Sequence, residues 1–238
     1  MEVILFRSRK KKPDCYPRLK LNGKYLSFSD SVKYLGITLE PFLNWERHIH
    51  NVCLKLKSAT GIISKLRYYL PQQILKSVYH ALFNSHLNYS CQVWGQGSNR
   101  LDRIIILQKR CIRLITFSEF RAHSSPLFHQ LSLLKFPDLV KLHNLISIHN
   151  ICNKSAPSRI VNTYSLRYYP EAHVTRGKRV GLFVTPMCQT STYGIRSVLY
   201  QSIDHWNSLQ KHFPDTRLAT FSIAKFKTIV FCHLLAQY

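Results

Sequence analysis

Acidic residues are scarce in this chain. Only 11 Asp and Glu stand against 34 Lys and Arg in 238 residues, a formal charge of +23 with the histidines neutral. No two of the carboxylates are adjacent, so no local pair supplies the ligands that hold Mg²⁺ for two-metal phosphoryl transfer. Long apolar runs are missing as well. No stretch approaches the roughly 18 residues of a membrane helix, which excludes a transmembrane span. Met1 to Phe6 carries no basic region ahead of a long apolar stretch, so the chain is not expected to be secreted. The seven cysteines, Cys15, Cys53, Cys91, Cys111, Cys152, Cys188 and Cys232, form no C-x-x-C pair. That argues against zinc ribbons, zinc knuckles and thioredoxin-like sites. Odd in number and mostly set among apolar neighbours, they read as small hydrophobes in a reducing compartment, the nucleus or cytoplasm. G-x-x-x-x-G-K-[ST], G-x-S-x-G and H-E-x-x-H are also absent.

What is present is a foldable chain with a positive surface. Hydrophobic residues make up 45% of it, enough for a core and too many for a disordered polyelectrolyte. Lys and Arg recur over 7–24, 55–67, 100–121 and 159–179 rather than gathering in a tail. Folded surfaces must then carry an uncompensated positive field, which repels itself unless a polyanion binds. Nucleic acid is the commonest such partner, with an anionic membrane surface or an acidic protein as alternatives. The run Arg7-Ser8-Arg9-Lys10-Lys11-Lys12 reads as a nuclear import signal or as a solvated loop.

The periodicity predicts an α+β chain. Val3 to Phe6, with Glu2 before it, is a short β-like run. Leu19 to Leu21 and Lys24 to Phe28 flank Asn22-Gly23, a dipeptide suited to a type I′ hairpin turn. Val32 to Leu39 reads as one further strand, with Gly36 marking a bulge or a close backbone approach. From Asn44, an expected N-cap, the period becomes helical: Trp45, Ile49, Val52, Leu56, Ala59, Ile63 and Leu66 share a face. Pro71 opens a second helix with Ile74, Val78 and Leu82 in line, and Asn99 caps a third running to about Phe117. On that third helix Leu101, Ile104, Ile105, Gln108, Ile112 and Ile115 point inward. Arg103, Arg110 and Arg113 form a basic stripe that follows a phosphate backbone or is simply solvated. Helices over about 137–150, 195–209 and 221–236 follow, with a Ser/Thr/Pro/Tyr-rich connection over 153–194. His143, His149 and Cys152 lie close together, but no second cluster completes a metal site. His48 and His50 point to different sides of a helix.

These residues, in order, resemble a family. Leu21-Asn22-Gly23-Lys24, Val32-Lys33-Tyr34-Leu35-Gly36-Ile37, Trp45-x-x-His48-Ile49, Tyr89-x-x-x-x-Trp94-Gly95, Leu107-Gln108-Lys109-Arg110-Cys111-x-Arg113, Tyr193-Gly194-x-x-Ser197, Trp206-Asn207-x-Leu209 and Phe226-Lys227 form an ordered series. It resembles the C-terminal part of the reverse transcriptase of non-LTR (LINE-type, jockey-like) retrotransposons. The resemblance implies the end of the palm with its primer-grip hairpin over 1–40, a thumb-like helical bundle over 41–118 and a helical extension over 119–238. It implies that Lys33, Tyr34, Leu35 and Gly36 hold the primer end, and that Arg103, Lys109, Arg110 and Arg113 grip the duplex. The family's catalytic Asp-Asp loop would lie upstream of Met1. No catalytic or metal-binding residue, and no cofactor, is then expected here; Mg²⁺ would enter only with a complete palm. The expected partner is a template-primer of RNA and DNA, with no membrane and no small-molecule substrate. Strand 2–6, deprived of palm neighbours, would expose an apolar edge and lower solubility. A stand-alone basic RNA- or DNA-binding protein, or a decayed transposon remnant, is the alternative.

Overall fold

Two tight hairpins precede the helices, and each turns on a pair of residues with positive φ. In the computed structural model, which describes residues 3–8, 18–96, 101–164, 166–167, 182–213 and 218–238, β1 (Lys20–Leu21) pairs antiparallel with β2 (Lys24–Tyr25). Asn22 and Gly23 between them sit at φ 47° and 78°, the type I′ geometry this dipeptide favours. The next segment departs from expectation. Val32 to Leu39 is a second hairpin rather than one strand: β3 (Val32–Tyr34) folds back on β4 (Ile37–Leu39), with Tyr34 opposite Ile37 and Val32 opposite Leu39. Leu35 and Gly36 take φ 45° and 79°, so Gly36 marks a reversal of the chain instead of a bulge. Of the expected strand over 2–6, Glu2 lies outside the described residues, and Val3 to Phe6 make one parallel bridge, Val3 to Phe28. Beyond it the chain leaves the ladder, and the Arg7 amide donates to the Pro41 carbonyl at 2.9 Å instead.

The helical part begins with α1 (Glu46–Leu66), whose buried face carries Ile49, Val52, Leu56, Ala59 and Ile63 as the four-and-three spacing requires. Its cap differs from expectation. Trp45, at φ 59°, occupies the cap position without a side-chain bond. The Glu40 carboxylate, buried at the end of the second hairpin, accepts from the Arg47 amide at 3.2 Å instead. A carboxylate there satisfies an orphan N–H and suits the positive end of the helix dipole.

α2 (Gln72–Val78) runs through a π-helical segment (Tyr79–Asn84) into α3 (Ser85–Asn88), then α4 (Cys91–Trp94). The buried stripe here is Leu75, Tyr79, Phe83 and Leu87, one residue away from the expected Ile74, Val78 and Leu82. Spacing by four drifts around a regular helix, and the wider π turns reduce that drift and keep the stripe on one side. α5 (Asp102–Ile115) packs along α1 and buries Ile104, Gln108, Ile112 and Ile115; its expected cap, Asn99, lies outside the described residues.

α6 (Ser124–Gln130), α7 (Phe136–Cys152), α8 (Ser158–Tyr164), a π-helical segment (Ser191–Ile195), α9 (Val198–His212) and α10 (Ile223–Leu235) complete the chain. One core unites α1, α2, α3 and α5 with Phe128, Phe136, Leu139 and Val140. A second gathers Leu145 and Ile148 with Ile203, Trp206 and Phe226. Helix α7 contributes to both, and Tyr238 packs against each.

Candidate nucleic-acid interface

The tip of the second hairpin stands in solvent while its back is fastened to the helices. Lys33, Tyr34, Leu35 and Gly36 are all exposed. Behind them the Tyr89 hydroxyl, at the end of α3, donates to the Leu35 carbonyl. A Cβ added to Gly36 would lie 3.4 Å from the Tyr89 ring, so the turn rests directly on that side chain. The Thr38 amide donates to His48 Nδ1 at 3.3 Å, and Asn51 donates to the Thr38 hydroxyl at 3.4 Å. His48 is therefore the neutral tautomer with its proton on Nε2, and its ring meets Trp94 edge-on at 5.3 Å. Burial, and secondarily Lys55, holds its pKa below the ordinary value. A bond to the neutral form and a low pKa agree. Nε2 finds no hydrogen-bond partner among the described residues.

Trp94 ties this arrangement to the core. Its indole N–H donates to the Tyr89 carbonyl at 3.0 Å, and its ring stacks on Phe136 at 5.1 Å. Gly95 is there for space: a Cβ would come within 2.5 Å of the Cys91 carbonyl and 2.8 Å of Val140 Cγ2. Gln108, buried on α5, donates to the Tyr79 hydroxyl and the Leu134 carbonyl at 3.0 Å each and accepts from the Phe136 amide at 2.9 Å. It thereby caps the start of α7. In the C-terminal region Asn207 accepts from the Phe183 amide and donates to the Phe183 carbonyl, at 2.9 and 2.8 Å. The Tyr193 hydroxyl reaches the carbonyls of Arg7 and Phe42 at 3.4 and 3.3 Å.

The basic residues of α5 divide. Arg103 and Arg110 are exposed and two turns apart on one face, and Lys109 is half-buried beside them. Arg103 lines a cavity of about 420 Å³ with Arg47, His50, Asn51 and Thr38, between the hairpin and the start of α1. Arg113 is occupied differently: its Nε–H donates to the Ala122 carbonyl at 2.8 Å. Of the basic run, Arg7 lies with its guanidinium 4.9 Å from the centre of the Phe42 ring; Arg9, Lys10, Lys11 and Lys12 lie outside the described residues.

Among the described residues no group of three or more His, Cys, Asp or Glu could hold a metal ion. His149 bonds the Phe221 carbonyl at 2.9 Å and stacks on Phe226. Burial pushes the thiols of Cys91 and Cys111 up to about 12, which disfavours their thiolates. Among the described residues no helix is long and apolar enough to cross a membrane.

Comparison with known proteins supplies the relationship. The chain is 29% identical over 126 residues, 51% of its length, to the RNA-directed DNA polymerase from mobile element jockey of Drosophila melanogaster. It is 24% identical over 110 residues to a probable RNA-directed DNA polymerase from transposon X-element of the same fly, 44% of the chain. It is 27% identical over 105 residues, 43% of the chain, to the Pol polyprotein from type-1 retrotransposable element R1 of Bradysia coprophila. The alignments cover 14%, 12% and 10% of those proteins, so the chain spans about a seventh of their length or less. No protein-family model matches the chain, and no solved structure matches it significantly.

Proposed function

From its kinship with the RNA-directed DNA polymerases of non-LTR retrotransposons, we propose that this reverse-transcriptase-related chain holds the template-primer duplex of RNA and DNA and contributes no catalytic carboxylates of its own. One observation carries the reading: an exposed hairpin tip, Lys33 to Gly36, is locked on the helical core by Tyr89 and His48 and flanked by the exposed Arg103. A braced tip carrying Lys33, paired with the Thr38 that lines the same cavity as Arg103, suits a nucleic-acid backbone, because the backbone of the tip is set before the ligand arrives. Arg103 and Arg110, about 10 Å apart along α5 by helical rise, extend the positive track. Mg²⁺-dependent chemistry would require carboxylates from another part of a longer polymerase.

Fluorescence anisotropy with an RNA–DNA template-primer tests this. Log affinity should fall linearly with log salt, and Arg103→Ala should make that slope shallower by about one phosphate. Absence of binding at low ionic strength would refute the proposal. Incorporation of dNTPs by this chain alone would refute its second half.

A further inference from the structure

Four aromatic residues on two turns at the far end of the bundle face water. Tyr68 and Tyr69 follow α1 and are 80% and 83% exposed; Phe117 and Phe120 follow α5 and are 49% and 78% exposed. The Arg67 guanidinium bridges the two turns, 5.3 Å from the centre of the Phe117 ring and 5.8 Å from that of Tyr68. Both turns are braced. The Tyr69 and Leu70 amides donate to the Leu66 carbonyl at 2.9 and 3.0 Å. The Ser118 amide donates to the Arg113 carbonyl at 3.0 Å, and the Thr116 and Ser118 hydroxyls meet at 2.8 Å. Arg113 fastens the loop carrying Phe120 through Ala122. Phe117 itself sits at φ 55°, where glycine usually ends a helix. A phenylalanine kept there, half in water, costs stability that a glycine would not.

Exposed aromatics on braced turns, joined by an arginine, suit a ligand with both flat faces and negative charge. Arg67 lies over two of these rings; the exposed Lys65 precedes it in the last turn of α1, the exposed Arg121 follows Phe120, and Glu119 is the acid within these turns. We infer that Tyr68, Tyr69, Phe117 and Phe120 form a stacking platform for the unpaired bases of a single-stranded nucleic acid. Stacking on aromatic faces tolerates any base sequence, and the cations hold the backbone alongside. Because Arg103 lies near the start of α1 and Arg67 near its end, α1 and α5 run side by side in the same sense. The platform stands at the opposite end from the hairpin tip, about 31 Å along a 21-residue helix. The inference rests on the nucleic-acid reading above and extends it: the duplex meets the hairpin end, and a single strand leaving it meets the aromatic end.

The test compares the full chain with a Tyr68→Ala/Tyr69→Ala/Phe120→Ala variant, all three positions being exposed, and checks both by circular dichroism. The probes are a single-stranded oligonucleotide and an abasic oligonucleotide of equal length. The variant should bind the base-bearing probe at least tenfold more weakly. It should bind the abasic probe like the parent, with an unchanged salt slope. Tyr68→Phe/Tyr69→Phe should restore affinity. Equal loss on both probes would mean that the patch contributes through charge alone, and would overturn the inference. So would unchanged binding to both oligonucleotides. If neither protein binds any nucleic acid, the functional reading fails first, and that outcome is distinguishable from the others.

Discussion

Single side chains settle several points that composition leaves open. Gln108 meets three buried partners, the Tyr79 hydroxyl, the Leu134 carbonyl and the Phe136 amide. Gln108→Leu should therefore cost about 3 kcal/mol in urea unfolding, since each stranded group carries a desolvation penalty of about 1–3 kcal/mol. Gly95→Ala should cost about 2 kcal/mol by overpacking against the Cys91 carbonyl and Val140, with the same measurement deciding. Both residues belong to the patterns that carried the resemblance, Tyr89 to Gly95 and Leu107 to Arg113. Their presence was legible; their roles were not, because a hydrogen-bond partner 28 residues away leaves no trace in local spacing. Arg113 shows the converse. Its place in a basic stripe is readable from spacing, yet its bond to Ala122 is visible only once the loop has folded back.

Elements behave less uniformly. Helices α1 and α5 follow the apolar period closely, because a strong stripe permits one burial solution. The Asn22-Gly23 hairpin was also legible, since both residues tolerate positive φ. The second hairpin was not. A leucine at φ 45° is disfavoured locally, and contacts from other elements, the Tyr89 hydroxyl beneath its carbonyl and His48 behind Thr38, offset that cost. Tyr89→Phe should leave global stability within about 1 kcal/mol, the usual net worth of a hydrogen bond. It should nonetheless speed hydrogen exchange at the amides of Gly36 to Thr38. Exchange unchanged in that segment would mean that the tip holds its shape without the tyrosine. The stripe on α2 and α3 shifts by one residue for a comparable reason: the π turns between them are a response to packing that periodicity does not report.

At the scale of the molecule, buried histidines make the fold sensitive to acid. His205 is held down to about 4, first by burial and then by Lys141, against opposing pulls from Asp204 and Asp138. It bonds Asn144, which joins α7 to Gln92 and Gln96 near α4. A histidine whose folded pKa is depressed contributes stability that is full above its ordinary value of 6.5. That contribution is lost as pH falls from 6.5 to about 4 and changes no further below. His205 alone should account for about 3 kcal/mol across that window. His48, His143 and His149 are shifted the same way. Urea midpoints should drop steadily between pH 6.5 and 4, and His205→Gln should flatten the profile.

The sequence alone determined the positive field, the core faces of α1 and α5 and the Asn-Gly turn, because charge, period and local φ preference are properties of neighbouring residues. Tertiary structure alone decided that Tyr89 and His48 pin the second hairpin, that Glu40 caps α1, and that Arg67 draws two aromatic turns together. Those contacts join different elements, some adjacent in the chain like Glu40 and Arg47 and some distant like Leu35 and Tyr89, and their energies exist only after the elements have packed.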